Sequence, residues 1–358
     1  MTDTDLFRPL KVGVTTIANR LAMAPMTRSR ATADGLATDA MAAYYRQRAG
    51  AGLIVTEATQ TSLRAQSYPT TPGIHSAEQA ESWRRVTEAV HDEGGAIYLQ
   101  LFHGGRTGDP SMRGGLDAHA PSAVAAPGQT YTPDGLVDNP VPQAMTGDDI
   151  RATLREFADA ARLAISAGFD GVQLHGANGY LPQQFLCRQA NVRTDEWGGD
   201  TRGRIRFTVE AMRAIAEAVG AERASLRISP ATTVQGIDEA DTEQLYSAML
   251  AELAGDGYAF LDVIEQPGRR ELTALLRELW PGVFVLNPHR DAEPLPPHEA
   301  VADGLSSGAD VVALGAAWLA NPDLLRRIAR GGPYNEPDGS TYYGGDERGY
   351  LDYPPLEG

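Results

Sequence analysis

Phe169-Asp170-Gly171-Val172-Gln173-Leu174-His175-Gly176-Ala177-Asn178-Gly179-Tyr180 divides into two parts. The first, through Leu174, reads as a short strand. The second brings three side chains able to grip an oxygen or deliver a proton within six residues. His175 and Asn178 can both donate hydrogen bonds to one carbonyl oxygen. Tyr180 carries a weakly acidic phenol, suited to giving up its proton when a carbanion forms beside it. A donor pair plus an acid at a strand end is a catalytic layout. The (β/α)₈ barrel places its chemistry at the C-terminal ends of its strands.

Working outward, short apolar runs recur at 20–26, 52–58, 96–102, 171–175, 224–230, 258–265, 282–287 and 310–315. Strands buried on both faces, as in a closed parallel barrel, read as continuous apolar runs of this kind. Amphipathic stretches at 77–93, 147–167, 202–219, 242–255 and 297–307 alternate with them. Gly94, Gly168, Gly255 and Gly308 stand where those helices should end. The pattern predicts one α/β domain over residues 1–358, a TIM barrel. Two segments fall outside the repeat. Residues 103–146, after the third strand, are rich in Gly and Pro and are expected to form a lid. The tail at 331–358 is expected to be irregular and to pack on the barrel.

Composition narrows the function. The chain has 358 residues, 42% of them hydrophobic, enough for a large core without staples. Its net charge is −16 and it shows no basic stripe, which argues against a nucleic-acid partner. No run of about 18 apolar residues suggests a membrane span. The start, Met1-Thr2-Asp3-Thr4-Asp5, lacks the apolar core of a signal peptide. The lone Cys187 cannot form an internal disulfide and suits a reducing, cytoplasmic setting. The seven histidines show no metal-ligand spacing, so no metal is expected.

The remaining strand ends test the opening idea. They read Ala24-Pro25-Met26-Thr27-Arg28, Thr56-Glu57-Ala58, Gln100-Leu101-Phe102-His103-Gly104-Gly105-Arg106 and Arg227-Ile228-Ser229-Pro230. An amide, a guanidinium and a hydroxyl converging on one mouth could hold the polar edge of a flat heterocycle. At this point the chain resembles the old yellow enzyme family of FMN-dependent ene-reductases. Further matching pieces are Arg193-Thr194-Asp195-Glu196-Trp197-Gly198-Gly199, Ala320-Asn321-Pro322-Asp323-Leu324 and Thr341-Tyr342-Tyr343-Gly344-Gly345, all in the family's order.

The resemblance implies roles by position. Pro25, Met26, Thr27, Ala58 and Gln100 would line the isoalloxazine ring of FMN, and Arg227 would face its pyrimidine edge. A fixed cation there favours the reduced, anionic ring. His175 and Asn178 would hold the substrate carbonyl. Tyr180 would protonate the α-carbon once hydride from the reduced flavin has reached the β-carbon. Tyr68, Phe102 and Tyr343 would wall the pocket. NADPH would bind the same face first, reduce the flavin and leave. The implied activity is reduction of an activated C=C in an α,β-unsaturated carbonyl or nitroalkene. The implied assembly includes a homodimer.

The resemblance breaks at the phosphate of the cofactor. The family has a Gly-rich turn after the seventh strand, where this chain reads Leu286-Asn287-Pro288-His289-Arg290. Pro288 has no N–H to give, and Asn287 carries a side chain where glycine permits close approach. After the eighth strand the family has Gly-Arg, and this chain has Gly315-Ala316. Gly315 would remain at the cup, and Arg290 or His289 would be the replacement clamp. The alternative reading is a relative with lost or weakened FMN binding. Such a protein would carry out redox-neutral isomerisation, elimination or cyclisation at a carbonyl.

Some of these residues also have plain structural readings. His103 is as compatible with a loop hydrogen bond as with the site. Arg227 could be a buried ion-pair partner. Asp195, Glu196 and Arg202 are expected to tie the loop after the fourth strand to the next helix. Tyr342, Tyr350 and Tyr353 are expected to pack the tail.

Overall fold

The computed structural model describes residues 5–132 and 134–357. Eight parallel strands close into a barrel: β1 Leu21–Met23, β2 Leu53–Val55, β3 Ile97–Phe102, β4 Gly171–Gly176, β5 Ala224–Ile228, β6 Phe260–Ile264, β7 Phe284–Asn287 and β8 Val311–Leu314. Each pairs with its neighbour in sequence, and β8 pairs with β1 to close the ring. Seven of the eight strands lie within the apolar runs read from the sequence, and β4 extends one residue past its run, to Gly176. Helices cover the outside: α1 Asp39–Gln47, α2 Ala77–His91, α3 Gly147–Ser166, α4 Thr201–Val219, α5 Thr242–Leu253, α6 Arg270–Leu279, α7 Pro297–Ser306 and α8 Leu324–Arg330.

Local chemistry sets the helix starts. Ser76 Oγ accepts from Gln79 N, and Asp200 accepts from Gly203 N. Thr146 and Asp149 form a reciprocal capping box that starts α3. Left-handed glycines stand at Gly94, Gly168 and Gly308, as the sequence suggested. After α5 the left-handed glycine is Gly257 and not Gly255.

The interior follows from the two-residue period of a strand. Ala22, Leu53, Tyr98, Phe260, Val285 and Val311 point inward and form one apolar cluster. An N-terminal hairpin, Leu10–Val12 with Thr15–Ile17, joins it through Val12 and Ile17 and closes the bottom. Moving two residues toward the C-terminal end on four of these strands gives Gln100, Asp262, Asn287 and Ala313. Register aligns Gln173 with Gln100, His175 with Arg227, and Arg227 with Asp262. The barrel is therefore apolar below and polar at its mouth.

Residues 103–146 hold more order than their Gly and Pro content suggested. His119–Ala120 pairs with Gln143–Ala144, and Gln129–Thr132 forms a hairpin with Gly135–Asp138. The loop after β4 is tied both to this segment and to α4, where Arg204 donates to the Leu186 carbonyl and Arg206 covers the Trp197 ring. Arg193 Nη1 donates to the carbonyls of Pro121 and Met145, while its other nitrogens hold Asp195. The sequence pointed to Asp195, Glu196 and Arg202 for the tie to α4; Arg204 and Arg206 make it, while Asp195 pairs with Arg193. The tail packs through Tyr350, which stacks on Tyr44 with centroids 4.3 Å apart. Arg28 donates to the carbonyls of Thr341, Tyr342 and Gly349. Among the described residues, no helix is long and apolar enough to cross a membrane.

Candidate active site

The turn that follows β4 carries the three residues singled out first. Asn178 sits at φ 55° and Gly179 at φ 78°, both left-handed. Such a turn needs anchors, and two buried glutamines supply them. Gln183 Oε1 accepts from Gly179 N at 2.9 Å and from Ser229 Oγ at 3.1 Å. Ser229 Oγ in turn accepts from Asn178 N at 2.8 Å. Gln184 Nε2 donates to the carbonyls of Gly179 and Gly104, tying this turn to the one after β3. The glutamines are thus the scaffold on which Asn178 is presented.

His175, Phe102 and Tyr180 form a compact group of rings. Tyr180 meets His175 edge-on at 4.9 Å and Phe102 edge-on at 4.6 Å. His175 Nδ1 accepts from Ala177 N at 3.4 Å, which leaves the ring proton on Nε2. Burial, and then the charge of Arg227, pulls the imidazole down to about 3. His175 is therefore a neutral donor across the physiological range. Burial, and then the Tyr68 phenol, pushes Tyr180 well above the ordinary tyrosine range. The phenol stays protonated and available as an acid. Tyr68 Oη lies 3.0 Å from Tyr180 Oη, and Gln235 Nε2 donates to Tyr68 Oη at 3.4 Å.

The polar layer of the mouth is internally paired. Gln100 Nε2 donates to Gln173 Oε1 at 2.9 Å, and Gln173 Nε2 donates to Asp262 Oδ2 at 3.0 Å. Arg227 Nη1 donates to the same Asp262 oxygen, and Arg227 Nη2 donates to Asn287 Oδ1 at 3.0 Å. Asn287 Nδ2 then reaches the Ala313 carbonyl at 3.0 Å. Arg227 is thus a buried ion-pair partner as well as a mouth residue. Asp262 Oδ1 is buried without a partner.

Pro25, Met26 and Thr27 follow β1 and are half-buried, while Ala58 after β2 is buried. Glu57 fixes the β1 loop by accepting from Arg28 N and Ser29 N. Gly315 lies beside Met26, since a Cβ there would be 3.5 Å from Met26 Sδ. Tyr343 is 68% exposed and lies near the phenols of Tyr68 and Tyr180, so it stands at the rim. Arg290 is 61% exposed and faces Asp303 at 3.6 Å. His103 accepts from Gly105 N through Nδ1 at 3.0 Å, the structural one of its two readings.

The sequence profile of the NADH:flavin oxidoreductase / NADH oxidase family matches residues 5–335. The chain belongs to this family, the old yellow enzymes. It is 41% identical to a probable flavin mononucleotide-dependent alkene reductase of Leishmania infantum, over 98% of this chain and 97% of the relative. It is 39% identical to 12-oxophytodienoate reductase 1 of Oryza sativa subsp. japonica, over 98% and 93%. Among solved structures, the old yellow enzyme homologue from Zymomonas mobilis superposes with a TM-score of 0.92 at 38% identity, covering 98% of this chain and all of that one. Morphinone reductase gives 0.91 at 39% identity, covering 98% and 96%.

As an old yellow enzyme, the chain must be tested for fit to a flavin. The ring end fits. Met26, Ala58 and Gly315 offer small or flexible apolar surface, and Gln100 and Arg227 stand in the inward polar layer. Sequence reading missed Asp262, Gln173, Gln183 and Gln235 as parts of this site. Asp262 had a signal: a carboxylate inside the apolar run Phe260-Leu261-Asp262-Val263-Ile264, in the inward phase. Gln235 had none, because it comes from a loop far along the chain.

Proposed function

We propose that this protein is an NAD(P)H-dependent ene-reductase that uses FMN to reduce the activated C=C of an α,β-unsaturated carbonyl or nitroalkene. The observation that carries it is the pairing of a neutral His175 with a protonated Tyr180 at 4.9 Å, beside Asn178 on a fixed turn. His175 Nε2–H and the Asn178 amide hold the substrate oxygen and stabilise negative charge as it develops there. When bound, FMN supplies the hydride that NAD(P)H provides. Tyr180 gives its proton to the α-carbon, and Tyr68 stays hydrogen-bonded to the phenolic oxygen that bears the resulting charge. Phe102 packs edge-on against Tyr180 and shields that side from water.

Pro25, Met26, Thr27, Ala58, Gln100 and Arg227 hold the ring in this reading, with Tyr68 and Tyr343 as walls. Residues 103–146 act as the lid and 331–358 as the tail of one catalytic unit. The reductase names of the relatives favour this over redox-neutral chemistry on the same mouth. The reading extends to a cytoplasmic homodimer, and the lone Cys187 is free and buried.

The test is direct. Protein incubated with excess FMN and desalted should keep flavin absorbance, lose it on adding NADPH, and recover it on adding a cyclic enone. Failure to bind flavin at saturation sinks the proposal.

A further inference from the structure

In (β/α)₈ barrels a ligand phosphate commonly sits between the loops after strands seven and eight, where backbone N–H groups and a cation meet it. In this chain those loops are Asn287-Pro288-His289-Arg290 and Gly315-Ala316. On the seventh-strand loop the donors are largely absent or already used. Pro288 has no N–H. His289 N donates to Glu265 Oε2 at 3.1 Å. The Asn287 amide is committed at both ends, to Arg227 and to the Ala313 carbonyl. Gly315 and Ala316 contribute no polar side chain, and the helix that follows, Ala316–Ala320, has only five residues.

Charge gives the same answer. The two guanidiniums next to the seventh-strand loop, Arg270 and Arg290, face two carboxylates. Arg270 holds Glu265 at 2.6 Å and Asp303 at 2.5 Å, and Arg290 faces Asp303 at 3.6 Å. The Glu265 side chain is fully buried, so Arg270 cannot leave it without stranding a charge. A dianionic phosphate arriving here meets a locally neutral patch, with no unpaired cation facing it and few free donors on the seventh-strand loop.

We propose that this site selects a flavin by its ring and gives the phosphate no net binding, so that riboflavin and FMN bind alike. This rests on the reading that the ligand is a flavin. Ala316 is the position that sets the indifference, because it follows Gly315 at the end of the eighth strand, is exposed, and carries only a methyl group.

The experiment titrates the full-length apoprotein separately with FMN and with riboflavin, following quenching of flavin fluorescence at low and high salt. The expected result is dissociation constants within about threefold of each other and little salt dependence, since one charge-assisted hydrogen bond to phosphate would separate them by about tenfold or more. Ala316→Arg should tighten FMN by about tenfold and leave riboflavin unchanged. A tenfold preference of the native chain for FMN overturns the proposal while leaving the ene-reductase reading intact. So does selective loss of FMN affinity in Arg290→Ala, which would make Arg290 a working clamp. So does an Ala316→Arg variant with unaltered FMN affinity. Binding of neither flavin overturns both readings together.

Discussion

Asp262 holds the guanidinium of Arg227 inside the barrel, and the two side chains are 1% and 5% exposed. Parallel register places them side by side on β5 and β6. The cation at the mouth is thus neutralised by its neighbour, and its Nη2 donates to Asn287 Oδ1. A positive charge under the pyrimidine edge of a flavin favours the reduced, anionic ring. Asp262 opposes that effect by cancelling the charge.

Asp262→Asn should therefore raise the potential of bound flavin. A tenfold gain in affinity for the reduced over the oxidised ring corresponds to about 30 mV for a two-electron couple. Equilibration against a reference dye reads the shift directly. An unchanged or lower potential would contradict the role given to Asp262. Asp262→Leu should instead cost about 3–5 kcal/mol of stability by leaving Arg227 buried and unpaired, measurable by urea unfolding.

Tyr180→Phe isolates the proton. It keeps the ring that packs on Phe102 and His175 and removes only the hydroxyl. Reoxidation by an enone should slow by about 10²–10⁴-fold, the usual worth of a positioned general acid. Reduction by NADPH should be little affected. Stopped-flow absorbance separates the two half-reactions, and equal slowing of both would remove Tyr180 from the acid role.

The pH dependence has a definite sign. His175 is held near 3 by burial, far below its unfolded value of about 6.5. Below that value the unfolded chain takes a proton that the native site refuses. Stability from this residue is thus present above about pH 6.5 and is lost as pH falls toward 3, at up to about 1.4 kcal/mol per pH unit. His103 acts in the same direction. Glu57 and Glu239 act oppositely: burial raises their carboxyls, so their contribution is present at low pH and is lost as pH rises. The comparison that isolates His175 is His175→Asn against the native chain at pH 7 and pH 5. The native protein should lose more stability over that interval than the variant. Turnover itself should show no inflection near 6.5 from His175.

The barrel was legible because strands buried on both faces must be apolar, and that requirement leaves a plain trace in sequence. The trio at 175–180 was legible because one short turn carries it. Asp262, Gln173 and Asn287 were not, since what makes them a network is register between strands distant in sequence. Residues 103–146 misled for a related reason. Their strands are two to four residues long, too short for periodicity to register. Arg193 was not singled out because its ties to the 103–146 segment go to backbone carbonyls, which composition does not reveal.

Gly179 tests whether the turn itself sets the activity. Its φ of 78° suits glycine, and a Cβ there would come within 2.6 Å of Gln235 Cβ and 2.8 Å of the Val234 carbonyl. Gly179→Ala adds one methyl group and touches no proposed catalytic group directly. The strain of a left-handed alanine is about 1–2 kcal/mol, and relief of the contact must push Asn178 or the Gln235 loop aside. A displacement of about 1 Å at a positioning residue can cost about 100-fold in rate. The expected variant therefore melts modestly lower, binds flavin normally, and loses kcat/KM for the enone far more than its stability loss accounts for. If activity instead fell only in proportion to the folded fraction, the geometry of the His175–Tyr180 turn would not be what limits the reaction.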